Sequence, residues 1–297
     1  MKMIQVKNLS KKFKKNDLYS LKDVNFSVNV GEIVGLIGKN GAGKTTLMKL
    51  IAKAIKPTDG DIFIHNKSIL KKNNALKEVG FMIESSIFNH LSAIEHLKFF
   101  IKLNGEKKDY NNIENVLKLV DLWEKKDKNP NSFSFGMKQR LSLATCLVTQ
   151  PKLLILDEPF VGLDPNGVDK LIQTLKKWVE QKDTAIIISS HQLSELEEIC
   201  TRYLFIDNGL LKEDFDSEKE NTTLIELDRE FNYKESFKEK YDKYIKIKKN
   251  NKIIEVNNKD GILSDLLADL TKQYRILSIK EKKDLIQQKF KGDNSDE

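Results

Sequence analysis

The sequence predicts an α/β fold built on a parallel sheet that is buried on both faces, and three apolar segments carry this prediction. Ile33–Ile37 and Leu153–Leu156 are apolar at almost every position, and residues 184–189 form a third run of the same kind. Such continuous runs are typical of parallel strands covered by helices on both sides. Helical patterns lie between the runs, which predicts repeated strand–helix units.

Two earlier segments predict an N-terminal β-layer in front of this sheet. Residues 3–9 and 24–30 alternate between apolar and polar side chains, as half-buried strands do. The connection between them is rich in lysine and contains Phe13, which we expect to be exposed. An exposed aromatic ring at this place can stack on a nucleotide base.

Residues 38–46, Gly-Lys-Asn-Gly-Ala-Gly-Lys-Thr-Thr, follow the first buried strand and are called the phosphate loop below. Its glycines let main-chain N–H groups surround a phosphate chain, and the helix that follows points its positive end at the same phosphates. Lys44 would add a charge for the outer phosphates, and Thr45 a hydroxyl for Mg²⁺. The loop residues that we expect to contact a nucleotide are Gly38, Asn40, Gly41, Ala42, Gly43, Lys44, Thr45 and Thr46.

A helical insertion is predicted between the first two buried strands, over about residues 85–145. A short strand pattern at residues 76–83 leads to Glu84 just before it. Helical patterns cover residues 93–103 and 113–122, with a polar loop expected at residues 104–112. A further apolar helix is predicted over residues 141–149.

Two carboxylates, Asp157 and Glu158, follow directly after the second buried strand. Ligands of open α/β sheets bind at the carboxyl ends of the strands, so these side chains are placed to act on a bound nucleotide. Asp157 can hold Mg²⁺, and Glu158 can act as the general base that polarises an attacking water. His191 follows the third buried strand, where it could contact the γ-phosphate.

Length and composition indicate a large domain followed by a smaller one. The chain has 297 residues, of which 39% are hydrophobic and 32% charged. Residues 1–214 form the predicted nucleotide-binding domain, residues 215–221 a linker, and residues 222–297 an accessory α+β domain with a disordered end. The accessory domain carries no phosphate, metal or nucleophile motif, so regulation, support of a dimer and simple stabilisation all stay open for it.

The sequence predicts a cytoplasmic protein. It contains no run of about 20 uncharged apolar residues, and its first residues lack an apolar signal segment. The net charge of +7 comes from lysines scattered over the first domain, which fits a solvated basic surface or a weak attraction to an anionic membrane leaflet. Cys146 and Cys200 lie in apolar surroundings without metal-type spacing, which indicates reduced core residues.

Taken together and in this order, the motifs of residues 1 to about 214 resemble the ATP-binding subunit of an ABC transporter. The resemblance implies a P-loop NTPase fold, ATP and Mg²⁺ as cofactors, a homodimer, and a separate integral-membrane permease that holds the subunit at the inner face of the cell membrane. Asp157 then corresponds to the magnesium-binding carboxylate, while Glu158, Lys44 and His191 correspond to the catalytic residues. Phe13 corresponds to the aromatic residue that stacks on adenine.

Residues 134–140, Ser-Phe-Gly-Met-Lys-Gln-Arg, stand where the family has its signature Leu-Ser-Gly-Gly-Gln, and are called the signature segment below. Ser134 and Gly136 are kept, and the resemblance implies that they reach the γ-phosphate bound by the opposite copy. Phe135 and Met137 replace the first glycine and the glutamine of the family pattern. The resemblance also implies that Asp164 falls in the turn between the two ATP sites.

Glu84 is a second departure, because most members have there a glutamine that connects the metal and the attacking water to the transporter interface. Together with the form of the signature segment, it resembles the bacitracin-resistance and lantibiotic-immunity branch of exporters. The resemblance therefore implies the ATP-hydrolysing subunit of a bacterial exporter that removes antimicrobial peptides.

Three other functions stay open at this point. They are export of another drug or lipid-like cargo, action of a soluble ABC ATPase on ribosomes or nucleic acid, and small-molecule phosphotransfer on the same phosphate loop. The signature segment and Glu158 disfavour phosphotransfer. We expect no nucleic-acid partner, because the chain has one cassette without a coiled-coil or zinc insertion.

Overall fold

A computed structural model of the chain describes residues 1–14, 17–71, 74–83, 87–104, 107–190, 193–216, 222–232, 237, 240–248, 251–257 and 261–281. The chain divides into two compact units, Met1–Asp214 and Phe215–Glu297. Glu84 and His191 lie outside the described residues, as does the end of the chain that we predicted to be disordered.

The first unit alternates strands and helices after an N-terminal pair of long strands. In chain order its elements are β1 (Lys2–Lys12), β2 (Tyr19–Asn29), β3 (Ile33–Ile37), α1 (Lys44–Ile51), β4 (Asp59–Ile64), β5 (Lys67–Ser68), β6 (Val79–Met82), α2 (Ala93–Asn104), α3 (Ile113–Leu119), α4 (Phe135–Leu147), β7 (Leu153–Leu156), α5 (Pro165–Lys182), β8 (Ala185–Ser189), α6 (Leu193–Ile199), β9 (Arg202–Asp207) and β10 (Leu210–Asp216).

The N-terminal β-layer is a four-stranded sheet with the strand order β2-β1-β4-β5. Its three pairings are all antiparallel. Ile4, Val6 and Leu9 of β1 are buried in the same hydrophobic core as Leu36 of β3 and Leu47 of α1. The apolar side chains of the alternating pattern therefore face the core that β3 and α1 share, and the N-terminal layer packs against the strand and the helix on either side of the phosphate loop.

A six-stranded sheet with the order β10-β9-β3-β8-β7-β6 forms the centre of the unit. The strands β3, β7 and β8 are buried at every position, as their continuous apolar sequences predicted. All three run parallel, and Leu36 pairs with Ser189 while Leu156 pairs with Ile188. The carboxyl ends of β3, β8 and β7 consequently lie side by side.

The helical insertion differs from the sequence prediction at two places. The last helix, α4, begins at Phe135 rather than near residue 141, because the Ser134 hydroxyl caps it by accepting a hydrogen bond of 3.3 Å from the Met137 N–H. The polar segment expected to be a loop contains a 3-10 helix, Lys107–Asn112. Both cysteines are free and buried, and burial raises the pKa of the Cys146 thiol to about 12.

The second unit is a small α+β fold whose sheet has the order β12-β13-β11-β14. All its described strand pairings are antiparallel. Leu266 and Leu270 of its helix share a core with Ile225 and Ile254 of the sheet. The elements are β11 (Thr222–Leu227), β12 (Ile245–Lys248), β13 (Ile253–Asn257), α7 (Ile262–Leu270) and β14 (Ile276–Glu281).

The predicted linker of residues 215–221 begins within a strand, because β10 continues to Asp216. Residues 217–221 lie outside the described part of the chain. Within the described residues, no helix combines the length and the apolar character that crossing a membrane requires.

Candidate functional site

The phosphate loop connects β3 to α1, and close neighbours restrict its backbone. A methyl group at Gly38 would overlap the main-chain oxygen of Ile206, and one at Gly43 would lie 2.7 Å from the main-chain oxygen of Ser20. Gly43 also has a φ of 115°, which side chains rarely adopt. These two positions therefore require glycine, and the loop keeps its main chain free of side chains there.

Lys44 is the first residue of α1 and is only 6% exposed. Its amino group donates hydrogen bonds to the main-chain oxygens of Gly38, at 2.5 Å, and Lys39, at 3.2 Å. Burial lowers the pKa of this ammonium group, and the nearby carboxylates of Glu158 and Asp157 act in the opposite direction. The Lys44 ammonium group thus lies against the main chain of the loop. A phosphate group bound in the loop could pair with this positive charge.

Asp157 joins the phosphate loop to the ends of β7 and β8. The Thr45 hydroxyl donates to Asp157 Oδ2 at 2.8 Å, and the Ser189 hydroxyl donates to Asp157 Oδ1 at 2.6 Å. Ser189 in turn accepts a hydrogen bond of 2.9 Å from the Glu158 N–H. Both oxygens of the carboxylate are therefore fixed, and the Glu158 main chain is attached to the same group.

Sequence reasoning did not identify Ser189. The residue is the last of a buried strand, and only the sheet order places that strand between β3 and β7. A small polar residue at the carboxyl end of an otherwise apolar strand was the available indication.

Glu158 lies where the chain turns sharply after β7. Its φ of 50° is left-handed, a conformation that costs a non-glycine residue about 1–2 kcal/mol. Neighbouring residues of a strand point to opposite sides, but this turn brings Asp157 and Glu158 to one cavity. Backbone strain of this kind persists where the surrounding contacts fix it, and here the hydrogen bond to Ser189 contributes.

The cavity has a volume of about 170 Å³ and opens between the phosphate loop and the two carboxylates. Its lining brings together a buried ammonium group, two threonines and two carboxylate side chains. The residues that line it are Lys39, Asn40, Gly41, Gly43, Lys44, Thr45, Thr46, Asp157 and Glu158.

Six predicted site residues that the structure describes do not line this cavity, namely Gly38 and Ala42 within the phosphate loop and four residues outside the loop. Phe13 is 38% exposed, and the Lys11 amino group lies 5.0 Å from the centre of its ring. Ser134 is exposed at the N-terminus of α4, with Gly136 in the first turn of that helix. Asp164 is also exposed and caps α5 by accepting a hydrogen bond of 3.1 Å from the Gly167 N–H. The four residues outside the loop thus take no part in lining this cavity.

Comparison with known proteins decides the family. Residues 21–161 match the family described as "ABC transporter". The bacitracin transport ATP-binding protein BcrA of Enterococcus faecalis is 36% identical over 214 residues, which are 71% of this chain and 68% of that protein. The chain belongs to the ATP-binding subunits of ABC transporters. This ABC cassette is thus an ATPase, and its predicted P-loop NTPase fold is confirmed.

Other relatives of the ABC cassette serve different transport systems. The lantibiotic transport ATP-binding protein SrtF of Streptococcus pyogenes is 35% identical over 217 residues, covering 72% of this chain and 92% of that protein. The arginine transport ATP-binding protein ArtM of Bacillus subtilis is 33% identical over 220 residues, covering 71% of this chain and 90% of that protein. Similarity alone therefore does not select one cargo.

Solved structures of ABC cassettes share the fold of the first unit. An ATP-binding subunit of an ABC transporter matches with a TM-score of 0.67 and 29% identity, over 72% of this chain and 90% of that chain. A dimeric cassette in a post-hydrolysis state, bound to ADP and Pi, matches with a TM-score of 0.65 and 26% identity, over 72% of this chain and 99% of that chain.

Replacement of Ser189 by alanine tests the hydrogen-bond network around Asp157. We expect Ser189→Ala to lower the ATP hydrolysis rate by about 10- to 100-fold, because the carboxylate and the Glu158 main chain both lose their fixed partner. The free energy of unfolding should fall by about 1–3 kcal/mol. Phosphate release and chemical denaturation measure the two effects.

Thr184→Val is the matched control for this change. Thr184 is buried just before β8, and its hydroxyl donates to the Pro151 main-chain oxygen at 3.0 Å, at the opposite end of the strand. The control should lose stability but keep the hydrolysis rate of the folded protein. Equal hydrolysis rates in the Ser189 and Thr184 variants would contradict the role given to the network.

Proposed function

We propose that this ABC ATPase powers the export of antimicrobial peptides through a separate membrane permease, with MgATP held between the phosphate loop and Asp157. The observation that carries the MgATP-binding part of the proposal is the network in which Asp157 accepts hydrogen bonds from Thr45 and Ser189 beside the buried charge of Lys44. This network brings together a carboxylate, a hydroxyl and an ammonium group, which are the groups that bind a polyphosphate with its metal ion.

The chemistry of the donor set fits Mg²⁺. This ion prefers oxygen ligands, and proteins commonly bind it with one or two side chains while substrate phosphates and water complete the octahedron. The Thr45 hydroxyl and Asp157 carboxylate, which are already in contact, would hold it. When bound there, Mg²⁺ would supply positive charge against the negative charge that develops on the transferred phosphoryl group. Glu84 is proposed as a further ligand from its sequence position alone.

Hydrolysis requires a base, a positive charge and fixed positions, and side chains of this chain would supply all three. Glu158 lines the cavity and would accept a proton from the attacking water. Lys44 would stabilise negative charge on the transferred phosphoryl group. Ser189 holds the Asp157 carboxylate and the Glu158 main chain, so the Asp157 carboxylate needs little rearrangement during the reaction. His191 is proposed from the sequence to hold the γ-phosphate.

Ser134, Gly136 and Asp164 are proposed to act on the ATP of a second copy. The three residues lie near the beginnings of α4 and α5, outside the cavity of their own chain. The N-terminus of a helix attracts phosphate groups, and α4 offers one at Ser134. A related cassette is dimeric with ADP and Pi, which supports an arrangement of two copies. Phe13, with its exposed ring, would stack on the adenine.

The proposed cargo rests on the form of the signature segment and on two relatives named for the transport of bacitracin and lantibiotics. The arginine transport relative favours a second candidate, an ATPase that drives uptake of a small nutrient. In either case the permease would bind the cargo and provide the path across the membrane.

Glu158→Gln tests the proposed base. We expect hydrolysis to fall by at least about 100-fold, because the amide cannot accept the proton from water, while ATP binding and ATP-dependent dimerisation are retained. Phosphate release, nucleotide titration and size-exclusion chromatography with ATP measure these properties. Glu180→Gln, an exposed change on α5, is the control and should hydrolyse normally. Undiminished turnover in the Glu158 variant would remove this residue from the mechanism.

Deletion of the gene tests the cargo. We expect the minimal inhibitory concentrations of bacitracin or of at least one lantibiotic to fall, because the peptide is no longer removed from the membrane. The intact gene should restore resistance, and the gene with Glu158→Gln should not. Unchanged inhibitory concentrations over a panel of such peptides, together with a loss of amino-acid uptake, would favour the importer instead.

A further inference from the structure

We propose that Phe135 is a positioning residue that fixes residues 160–164, here called the connecting turn, against the signature segment and thereby couples that segment to Glu158 of the same chain. The inference deepens the proposed function, since it depends on the roles given there to the signature segment and Glu158. It concerns a residue at which this chain departs from the pattern of its family.

The Phe135 ring lies directly on Gly162. A methyl group built on Gly162 would come within 2.5 Å of Cε1 and 3.3 Å of Cγ of this ring, so the ring occupies the space of a side chain at that position. Gly162 has a φ of 73°, in the region that favours glycine. The aromatic ring can approach the main chain of the connecting turn because Gly162 has no side chain and adopts the required left-handed conformation.

The next residue of the signature segment makes a second contact with the same turn. A methyl group on Gly136 would lie 3.1 Å from Cδ2 of Leu163, which leaves little room for movement between them. Two successive residues of the signature segment thus pack on two successive residues of the connecting turn. A glycine at position 135 would have no side chain to make the first of these contacts.

Hydrogen bonds continue from the connecting turn to the proposed base. The Val161 N–H donates to the Glu158 main-chain oxygen at 3.3 Å, and the Leu163 N–H donates to that of Phe160 at 3.1 Å. Phe160 is only 3% exposed, which anchors the turn in the core. Beyond Glu158 the network reaches Ser189 and then Asp157.

This arrangement has a consequence for a dimer with two ATP sites. Phe135 is 55% exposed, so part of its ring faces outward while the rest covers Gly162. When the signature segment meets the nucleotide of the second copy, a shift of α4 would move the ring, and the ring would move the connecting turn that leads back to Glu158. Completion of one site would then adjust the base of the other.

A double-mutant cycle with Phe135→Ala and Gly162→Ala tests the contact and its role. Residues in contact commonly couple by amounts that correspond to about 2- to 150-fold in rate or affinity. We expect Phe135→Ala to lower kcat within this range and to reduce the cooperativity of hydrolysis in ATP, while the affinity of the isolated chain for ATP is unchanged. Phe135→Leu should restore most of the rate, since it again covers Gly162.

The second substitution should depend on the first. In the otherwise unchanged chain, the new methyl group of Gly162→Ala would overlap the Phe135 ring. This substitution should therefore lower both kcat and Tm. In the chain with Phe135→Ala the overlap is gone and only the left-handed backbone strain is left, so both losses should be smaller. Tyr110→Ala, which removes an aromatic ring that is 41% exposed in the same unit, is the control and should hydrolyse normally.

Wild-type kcat and cooperativity in the Phe135→Ala chain would overturn the inference, and so would strictly additive effects of the two substitutions on Tm. A chain that keeps its activity with Phe135→Ala but loses it with Glu158→Gln would refute this coupling and leave the proposed function intact. Absence of hydrolysis in the unchanged chain would instead refute the proposed function. The Tm values of the single and double variants would still show whether Phe135 and Gly162 are in contact.

Discussion

The shared carboxylate of Asp157 is the interaction on which the site depends. Its two oxygens accept hydrogen bonds from Thr45 and Ser189, and so tie the beginning of α1 to the ends of β7 and β8. These strand ends are adjacent because β8 lies between β3 and β7 in the buried sheet. Without this order, the phosphate loop and the carboxylates would be separate features of the surface.

The same geometry divides the proposed work between two parts of the molecule. The cavity contains the positive charge and the residues proposed as metal ligands and base, whereas Ser134, Gly136 and Asp164 lie near helix beginnings outside it. Such a division suits a site that two copies complete together. The Phe135 ring lies against Gly162, and this contact is the proposed link between the exposed part and the cavity within one chain.

Sequence patterns predicted the features that depend on local chemistry. The continuous apolar runs identified the buried parallel strands, and the glycine spacing identified the phosphate loop. The apolar pattern starts only near residue 141 and therefore places the beginning of α4 too late, whereas the capping residue Ser134 marks the observed beginning. Ser189 and the Phe135–Gly162 contact could not be predicted, since they depend on which distant segments the sheet order and the helix packing bring together.

Titration of the full chain with ATP, in the presence of Mg²⁺ and after a chelator has removed the metal, tests the role of Asp157 as a metal ligand. We predict that Mg²⁺ increases the affinity for ATP and that Asp157→Asn loses most of this gain, because the amide is a weaker ligand than the carboxylate that lies against Thr45. An equal gain from Mg²⁺ in the variant and the unchanged chain would contradict this role.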